Sequence, residues 1–384
     1  MAFMIGSEAA RLRGAWAEVS LANLRHNLRL ARGMAPGSEV IGVVKADAYG
    51  HGAVEVSKAL VAEGARRLAV ATVQEGLELR EAGVSAEIIV LGMVLPEGAP
   101  EAVERGLTLV LSKPGDGESL SRAAVRRGVT AKAFVALETG MGREGFMADE
   151  DGWAALRRLR HMPGVSVTGI MSHMACADGA DLSHARGQTE RFRLFVEELH
   201  KIGYNGIIRS LAASAGMARL PESHFEAVRP GVVLYGCPGF AGADALGFRP
   251  VMSVKAKIAS LRRVPAGFTV SYGADFVAER ESLIGVLPLG YADGLDRRWG
   301  AAGAVIVRGR LAPVAGRICM DMCMADLTDV PGAGLGDEAV VIGSQGGESV
   351  TAVGMAEKTG TISHEVLCAF GRRLPRLYDS QNER

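Results

Sequence analysis

Short apolar runs alternate with amphipathic segments between residues 40 and 229, and this alternation constrains the fold more than any other feature of the chain. The runs have the length of buried strands, whereas the segments between them repeat with helical periodicity. Strands are predicted at 40–44, 68–72, 87–91, 107–111, 131–138, 165–171, 207–212 and 226–229. Helices are predicted at 53–63, 74–82, 97–105, 115–128, 150–161, 185–201 and 214–220. This order predicts an α/β protein with a parallel (β/α)8 TIM barrel rather than an open sheet.

The pattern changes after about residue 250, where short strands are separated by turn signals such as Pro331-Gly332. The predicted strands are 251–261, 269–276, 283–289, 304–308, 312–315, 322–327 and 338–342, followed by helices near 351–358 and 363–370. We therefore expect two domains, the barrel at 14–248 and a mostly β C-terminal domain at 249–384. A strand at 14–20 precedes the barrel, and we expect it to pair with the second domain. Ser20 is the predicted N-cap of a helix at 21–34.

Composition and charge narrow the class of protein. Lys plus Arg and Asp plus Glu each number 43 in 384 residues, so nothing favours a nucleic-acid or anionic-membrane surface. No apolar stretch approaches membrane-spanning length, and the N-terminus does not resemble a signal peptide. The cysteines lack the spacing of a metal site, which predicts reduced and mostly buried thiols in a cytoplasmic protein without a metal: Cys176, Cys237, Cys319, Cys323 and Cys368.

Polar landmarks follow five of the predicted barrel strands, where each strand ends. They are Lys45, Thr139 to Arg143, Ser172-His173, Ala213-Ser214 and Arg229 to Gly231. The carboxyl ends of barrel strands meet at one face, where the active sites of such barrels assemble. We therefore expect an active site there.

Lys45 is the most informative of these landmarks. The apolar run 40–44 leads directly into this lysine, and a small-residue turn containing Tyr49 follows. Burial disfavours the charged form of a lysine, and a neutral amine suits a Schiff base with an aromatic aldehyde such as pyridoxal phosphate. A single lysine at a strand end more often extends its charge toward solvent, so the interpretation depends on the other landmarks.

Seven stretches, in order from about residue 14 to residue 378, resemble the alanine racemases, a family of pyridoxal-phosphate enzymes. They are Val43 to Gly52, Glu138 to Gly145, Ser172 to Ala175, Arg229 to Gly236, Val270 to Gly273, Leu289 to Gly294 and Gly316 to Asp321. The resemblance implies a barrel followed by a β domain, working as a head-to-tail homodimer. It also implies supply of D-alanine for cell-wall precursors.

The resemblance implies two catalytic bases on opposite faces of the substrate. Lys45 would hold the cofactor and serve the D-enantiomer, whereas Tyr272 of the partner subunit would serve the L-enantiomer. His173 and Arg229 would form a hydrogen-bond chain that assists the tyrosine. Arg229 would also face the pyridine nitrogen of the cofactor, where a protonated arginine keeps the ring a weak electron sink.

The resemblance assigns binding roles to the remaining residues. Those implied for the cofactor phosphate are Tyr49, Ser214, Gly231 and Val232. Arg143 and Met320 would bind the substrate carboxylate, and Tyr291 of the partner would narrow the entrance. Taken singly, such residues are commonly a packed histidine, strand aromatics or a surface arginine. The seven stretches together favour the functional interpretation.

Two positions depart from the family pattern. Ala136 stands where many members have a lysine, often carbamylated, that orients the arginine. Glu138 on the same strand face, or a bound anion such as chloride, would be the replacement. His364 stands where the family usually has a phosphate-binding tyrosine, and a histidine there would bring pH dependence.

Three alternative functions stay open at the sequence level. A racemase of serine or of a broader set of small amino acids is the nearest. A pyridoxal-phosphate decarboxylase on the same barrel commonly uses an acidic partner for the ring nitrogen, where this chain has Arg229. A non-catalytic pyridoxal-phosphate-binding protein would lack the second domain that contains Tyr272 and Met320.

Overall fold

The computed structural model describes residues 4–379, and its eight central strands close into a barrel. Before the barrel come helix α1 (Met4–Arg13), strand β1 (Ala15–Val19) and helix α2 (Leu21–Met34). The barrel strands are β2 (Glu39–Val43), β3 (Arg67–Val70), β4 (Glu87–Val90), β5 (Thr108–Leu111), β6 (Ala131–Ala136), β7 (Val165–Met171), β8 (Ile208–Ala213) and β9 (Ala227–Arg229). Each pairs in parallel with the next, and β9 returns to β2. The predicted barrel is confirmed.

Helices surround the barrel. They are α3 (Lys45–Gly50), whose residues 46–49 are left-handed, and the regular helices α4 (Ala53–Ala62), α5 (Val73–Glu81), α6 (Ala99–Glu104), α7 (Pro114–Arg127), α8 (Glu150–Arg160), α9 (Ser183–Lys201) and α10 (Ser214–Arg219). Local sequence sets several of their ends. Ser20 caps α2 by accepting a hydrogen bond from the amide of Asn23, and Thr72 forms a capping box with Glu75 at the start of α5.

Burial explains why the barrel strands are continuous apolar runs. The helices cover the outer face of the sheet while side chains fill its interior, so both faces of a strand are buried. All four residues of β5 are buried. The core continues from the barrel into the second region as one cluster, and a smaller cluster surrounds Val264, Val270 and Ile284.

The region after the barrel is mostly β, as predicted. Its strands are β10 (Met252–Lys257), β11 (Ser260–Val264), β12 (Thr269–Val270), β13 (Phe276–Val277), β14 (Ser282–Leu287), β15 (Ala304–Val307), β16 (Arg310–Pro313), β17 (Cys323–Asp326), β18 (Glu338–Gln345), β19 (Glu348–Val350) and β20 (Arg376–Tyr378). Its helices are α11 (Trp299–Ala302), α12 (Ala352–Thr359) and α13 (Ser363–Ala369). The largest sheet has the order β16-β15-β18-β10-β1-β20, with β19 paired to β18.

The first strand of the chain belongs to this sheet. Strand β1 pairs antiparallel with β10, and parallel with β20 near the C-terminus. The sheet therefore joins the N-terminal strand to the last described strand. Residues 380–384 of the predicted second domain lie outside the described residues.

Three details of the sequence prediction are wrong. The predicted strand 251–261 is two strands, β10 and β11, which belong to different sheets. The predicted strand 269–276 is interrupted by a 3-10 turn, Tyr272–Ala274, because Ser271 and Ala274 have positive φ angles of 71° and 53°. Cys176 and Cys368 are exposed, so the thiols are not mostly buried. Across residues 4–379, no helix has the length and apolar character needed to cross a membrane.

Candidate active site

A cavity of about 1090 Å³ opens at the carboxyl end of the barrel strands. Nine of the twelve predicted site residues line it: Lys45, Tyr49, Arg143, His173, Ser214, Arg229, Gly231, Val232 and His364. The barrel therefore brings together residues that are up to 319 positions apart in sequence, from Lys45 to His364.

Lys45 lies two residues beyond the end of β2 and lines this cavity. Burial lowers the pKa of its amine below the ordinary value, and the positive charge of Arg143 lowers it further. The lysine is therefore closer to the neutral, nucleophilic form than a surface lysine is.

A left-handed turn follows Lys45 directly. Ala46, Asp47, Ala48 and Tyr49 have φ angles of 53–54°. This conformation costs about 1–2 kcal/mol for each non-glycine residue, so neighbouring groups must hold it. The carboxylate of Asp47 accepts a hydrogen bond from the amide of Ala53 at 2.7 Å, and that of Glu75 accepts one from Ala46 at 2.8 Å. Nothing in the residue types of this turn indicated its handedness.

Tyr49, Ser214 and Gly231 converge on one side of the cavity. A Cβ atom at Gly231 would lie 2.3 Å from the Tyr49 hydroxyl, so glycine permits this approach. The Ser214 hydroxyl accepts a hydrogen bond from the Gly231 amide at 2.9 Å. Burial raises the pKa of Tyr49, so its hydroxyl stays protonated and can donate a hydrogen bond to an anion. Val232 starts a short 3-10 helix beside them.

His364, on α13, contributes a free nitrogen to the same side. Its Nδ1 is buried without a hydrogen-bond partner among residues 4–379, and its ring centroid lies 5.8 Å from that of Tyr49. Burial, with the charge of Lys45, lowers the pKa of the imidazole. A buried polar atom without a partner is costly in a protein interior, so this nitrogen is available to a ligand in the cavity.

Arg229 lines the cavity and is fixed there by buried acceptors. Its guanidinium donates hydrogen bonds to the hydroxyl of Ser210 at 2.7 Å and to the carbonyls of Ser172 at 2.5 Å and Leu211 at 3.3 Å. Burial, with the charge of Arg143, lowers the pKa of Arg229 to about 10, which leaves it cationic near neutral pH.

The positive charge of Arg229 also affects the imidazole of His173. Burial, followed by the charges of Arg229, Arg143 and Lys45, lowers the pKa of His173 to about 3, so its imidazole is neutral near pH 7. Within residues 4–379, His173 and Arg229 do not hydrogen-bond to each other, because the guanidinium donors reach other groups. The link between His173 and Arg229 is thus not a direct hydrogen bond among the described residues, and the assistance of Tyr272 by these two residues stays a prediction.

Glu138 has a role that differs from the expected one. Its carboxylate accepts hydrogen bonds from the amides of Gly140, Met141 (2.7 Å) and Gly142 (2.9 Å). Burial alone would raise the pKa of Glu138, but these amides outweigh it and lower the pKa. The carboxylate therefore shapes the loop that ends at Arg143 and does not form an ion pair with this arginine among the described residues. Arg143 itself is exposed.

Ala136 ends strand β6 and lines the cavity with a methyl group. It is buried, and strand pairing sets it beside Met171. Among residues 4–379, neither this position nor Glu138 therefore supplies an acceptor for the Arg143 guanidinium.

Gln188 is a functional support that sequence reasoning missed. This fully buried side chain on α9 donates to the Thr139 hydroxyl at 3.3 Å and to the His173 carbonyl at 2.8 Å. It also accepts from the Ala175 amide at 2.8 Å. One residue thus fixes the loops of Arg143 and His173. The available signal was a glutamine within the apolar stripe of an otherwise amphipathic helix.

Tyr272, Tyr291 and Met320 lie outside the cavity. Their exposed fractions are 68%, 43% and 53%, which are large for two aromatic rings and a methionine. Tyr291 and Met320 occupy two loops joined by backbone hydrogen bonds, from Tyr291 to the Cys319 carbonyl and from Ala292 to the Met320 carbonyl, both at 3.0 Å. Cys319 is partly buried beneath them. The chain therefore does not bring these three residues to Lys45.

A parallel barrel with a polar cavity at the carboxyl ends of its strands, lined by a partly desolvated lysine, defines the molecule as a barrel enzyme. The sequence model described as "Alanine racemase, N-terminal domain" matches residues 19–238, and "Alanine racemase, C-terminal domain" matches residues 251–378.

Individual relatives agree with these matches. Alanine racemase 1 of Clostridium acetobutylicum is 39% identical over 374 residues, which cover 97% of each chain. The alanine racemase of Carboxydothermus hydrogenoformans is 40% identical over 96% of this chain and 100% of the relative. Among solved structures, the alanine racemase from Streptomyces coelicolor A3(2) superimposes with a TM-score of 0.92 at 37% identity, covering 98% of this chain and 100% of that one. The chain belongs to the alanine racemase family.

Proposed function

We propose that this protein interconverts L- and D-alanine with pyridoxal 5'-phosphate, using two bases on opposite faces of the substrate. One observation carries the proposal: a partly desolvated lysine lies in a cavity whose other walls carry hydroxyl and imidazole groups suited to a phosphate and an exposed arginine suited to a carboxylate. This combination of groups matches both ends of an amino acid bound to a phosphorylated aldehyde.

The described side chains fit the cofactor. Lys45 Nζ is the proposed point of covalent attachment. For the phosphate, we propose the Tyr49 and Ser214 hydroxyls, the amides of Gly231 and Val232, and the unpaired His364 Nδ1. Arg229, which stays charged, would face the pyridine nitrogen.

When bound, pyridoxal phosphate supplies a conjugated system that stabilises negative charge at the α-carbon of the substrate. Lys45, whose pKa is lowered by burial, accepts and returns a proton at Nζ on the face used for the D-enantiomer. The Tyr272 hydroxyl does the same on the opposite face, used for the L-enantiomer. Since a single base would exchange a proton on one face only, racemisation requires both residues.

We infer that Tyr272 comes from a second copy of the chain. It is 68% exposed and lies outside the cavity that contains Lys45. In a head-to-tail homodimer, each copy would bring Tyr272, Tyr291 and Met320 to the cavity of the other. Met320 would add a backbone donor for the substrate carboxylate, beside Arg143, and Tyr291 would narrow the entrance.

The wider context follows from this activity. D-Alanine is a component of cell-wall precursors, and we propose that the protein supplies it in the cytoplasm. We also propose a division into a cofactor-binding barrel at 14–248 and a second domain at 249–384, with the segment 14–20 paired to the second domain.

Hydrogen exchange at the α-carbon tests the proposal. Purified protein with pyridoxal phosphate is incubated in D₂O with single enantiomers of alanine and, separately, serine, and deuterium incorporation and chirality are followed together. Incorporation accompanied by inversion of alanine is expected. Faster inversion of serine would indicate a racemase of different preference, loss of CO₂ would indicate a decarboxylase, and no exchange with bound cofactor would indicate a binding protein.

A further inference from the structure

His51 is a fully buried histidine that does not line the cavity. Its Nδ1 lies 2.9 Å from the carbonyl oxygens of both Ala48 and Tyr49. A carbonyl can only accept a hydrogen bond, so Nδ1 must carry the proton and donate to this pair. Nε2 is buried and has no partner among residues 4–379. The ring is therefore a neutral Nδ1–H tautomer, since a charged ring would leave a buried N–H without an acceptor.

The two carbonyls that His51 binds belong to the left-handed turn after Lys45. Ala48 and Tyr49 have φ angles of 53° and 54°, a conformation that side-chain sterics disfavour. The turn decides where two groups point, because Lys45 precedes it and Tyr49 ends it. A donor that binds both carbonyls from just beyond the turn stabilises this conformation against relaxation to the right-handed one.

The ring of His51 is itself held in place by stacking. It lies 4.6 Å from the ring of Tyr235, which in turn lies 4.8 Å from the ring of Tyr49. The Tyr235 hydroxyl donates to the Val43 carbonyl at 2.8 Å, two residues before Lys45. The same packed unit thus contacts the chain on both sides of the lysine.

A second set of donors reaches the turn from the C-terminal strand β20. Arg376 donates to the Gly50 carbonyl at 2.8 Å and 3.1 Å, and the Tyr378 hydroxyl donates to the His51 carbonyl at 3.1 Å. A Cβ at Gly52 would lie 1.9 Å from the Tyr378 hydroxyl, so the contact is close. These donors hold the two residues that follow the turn, whereas the His51 ring holds the last two residues of the turn itself.

We propose that His51 is a positioning residue, whose Nδ1–H fixes the left-handed turn so that the Lys45 amine and the Tyr49 hydroxyl face the cavity together. This inference rests on the proposed function, since it assumes that Lys45 binds the aldehyde of the cofactor and Tyr49 its phosphate. His51 acts through these two residues and does not itself reach the cofactor.

Two amide substitutions of His51 distinguish the effect of its Nδ1–H donor from the effect of its side-chain volume. In His51→Asn the amide nitrogen can occupy the position of Nδ1, whereas in His51→Gln it reaches the position of Nε2. The dissociation constants of pyridoxal 5'-phosphate and of pyridoxal, which lacks the phosphate, are measured for each variant by absorbance. Circular dichroism establishes that both variants are folded.

His51→Asn is expected to keep the wild-type preference for the phosphorylated ligand, within about threefold. His51→Gln is expected to lose about ten- to a hundredfold of that preference, because the Tyr49 hydroxyl no longer reaches the charged phosphate. A simple loss of stability would weaken both ligands equally. Equal preference in Asn, Gln and wild-type proteins would overturn the inference, whereas a wild-type protein with no preference would instead overturn the proposed function.

The tautomer provides a test that needs no substitution. Nitrogen NMR of wild-type protein labelled with ¹⁵N-histidine distinguishes the protonated from the bare ring nitrogen. The structure requires a neutral His51 with the proton on Nδ1. A proton on Nε2 would contradict the inference even if both variants failed to fold.

Discussion

The cavity of the barrel and the exposed surface formed by Tyr272, Tyr291 and Met320 differ in how their residues are held. In the cavity, Arg229 and His364 are buried or half-buried, and buried acceptors or aromatic rings fix them. On the exposed surface, backbone hydrogen bonds fix the loops while the side chains project into solvent. The cavity is thus built within one chain, whereas the exposed surface consists of side chains that project from ordered loops.

Ion pairs and hydrogen bonds also fix the loops of the exposed surface. Buried Asp293 accepts two hydrogen bonds from Arg13 at 2.7 and 2.8 Å and one from the Gly290 amide at 3.0 Å. Arg373 contacts the same carboxylate at 3.4 Å and donates to Asp321 at 2.8 Å. These contacts tie together the loops that carry Tyr291 and Met320, whose side chains are exposed in the described part of the chain. Contacts within the chain therefore fix both loops, as the proposed role of this surface in a second copy requires.

Loss of Lys45 is expected to have the largest effect, because it removes the attachment point and one base from the cavity. Lys45→Ala should reduce racemisation in both directions by at least about a thousandfold. Chiral chromatography of each reaction measures the rates. The matched control is Lys58→Ala, which removes an exposed lysine paired only with Glu55. Appreciable activity in either direction would show that Lys45 is not a base.

Loss of the Tyr272 hydroxyl tests the exposed surface and is expected to have the second largest effect. Tyr272→Phe should reduce deuterium incorporation from L-alanine by about a hundred- to a thousandfold and leave exchange from D-alanine largely intact. Tyr204→Phe is the control, since that hydroxyl donates to the Leu156 carbonyl, away from the site. If both enantiomers lose exchange equally, the two residues do not serve separate faces.

A single methyl group tests the phosphate side of the cavity. Gly231→Ala would place a Cβ 2.3 Å from the Tyr49 hydroxyl, and displacement of this donor should weaken pyridoxal phosphate binding by about ten- to a hundredfold. Gly239→Ala is the matched control in the same cavity, since its Cβ would meet its nearest neighbour at 3.6 Å. Equal affinities in the two variants would place the phosphate elsewhere.

The buried His51 should also make the free energy of unfolding depend on pH. The pKa of His51 is lowered by burial from the usual 6.5 to about 4, so the unfolded chain binds a proton that the folded chain does not. The free energy of unfolding therefore falls as the pH decreases below 6.5, by up to about 1.4 kcal/mol per pH unit for this residue. His51→Asn should reduce the slope between pH 6.5 and 5 by up to one proton in urea titrations. An unchanged slope would mean that His51 is already charged in the fold.

The barrel was accessible from the sequence because most residues of its strands are buried and produce apolar runs. The positions of Arg229 and Ser214 then followed from the rule that strand ends share a face. Other features have no such pattern. The left-handed turn after Lys45 depends on donors from His51 and Arg376, which lie outside it. The roles of Glu138 and Gln188 depend on loops that only the folded chain brings together.

The exposed surface could be predicted from the sequence only in part. Tyr272 was predicted within a strand because the residues around it favour β structure. Ser271 and Ala274 have positive φ angles, however, and the chain turns there. Its role was implied by the family resemblance and not by periodicity. The packing pattern of a chain gives no signal for a residue that would act in a second copy of that chain.

The central claim is that each site combines the cavity of one copy with Tyr272 of another. Lys45→Ala and Tyr272→Phe proteins, each inactive in racemisation, are mixed under conditions of subunit exchange, and native mass spectrometry confirms the heterodimer. One intact site per heterodimer predicts recovery to about a quarter of wild-type activity after random exchange. Lys45→Ala mixed with Lys45→Arg should recover none. Confirmed heterodimers without recovered activity would contradict the claim and show that each chain builds its own site.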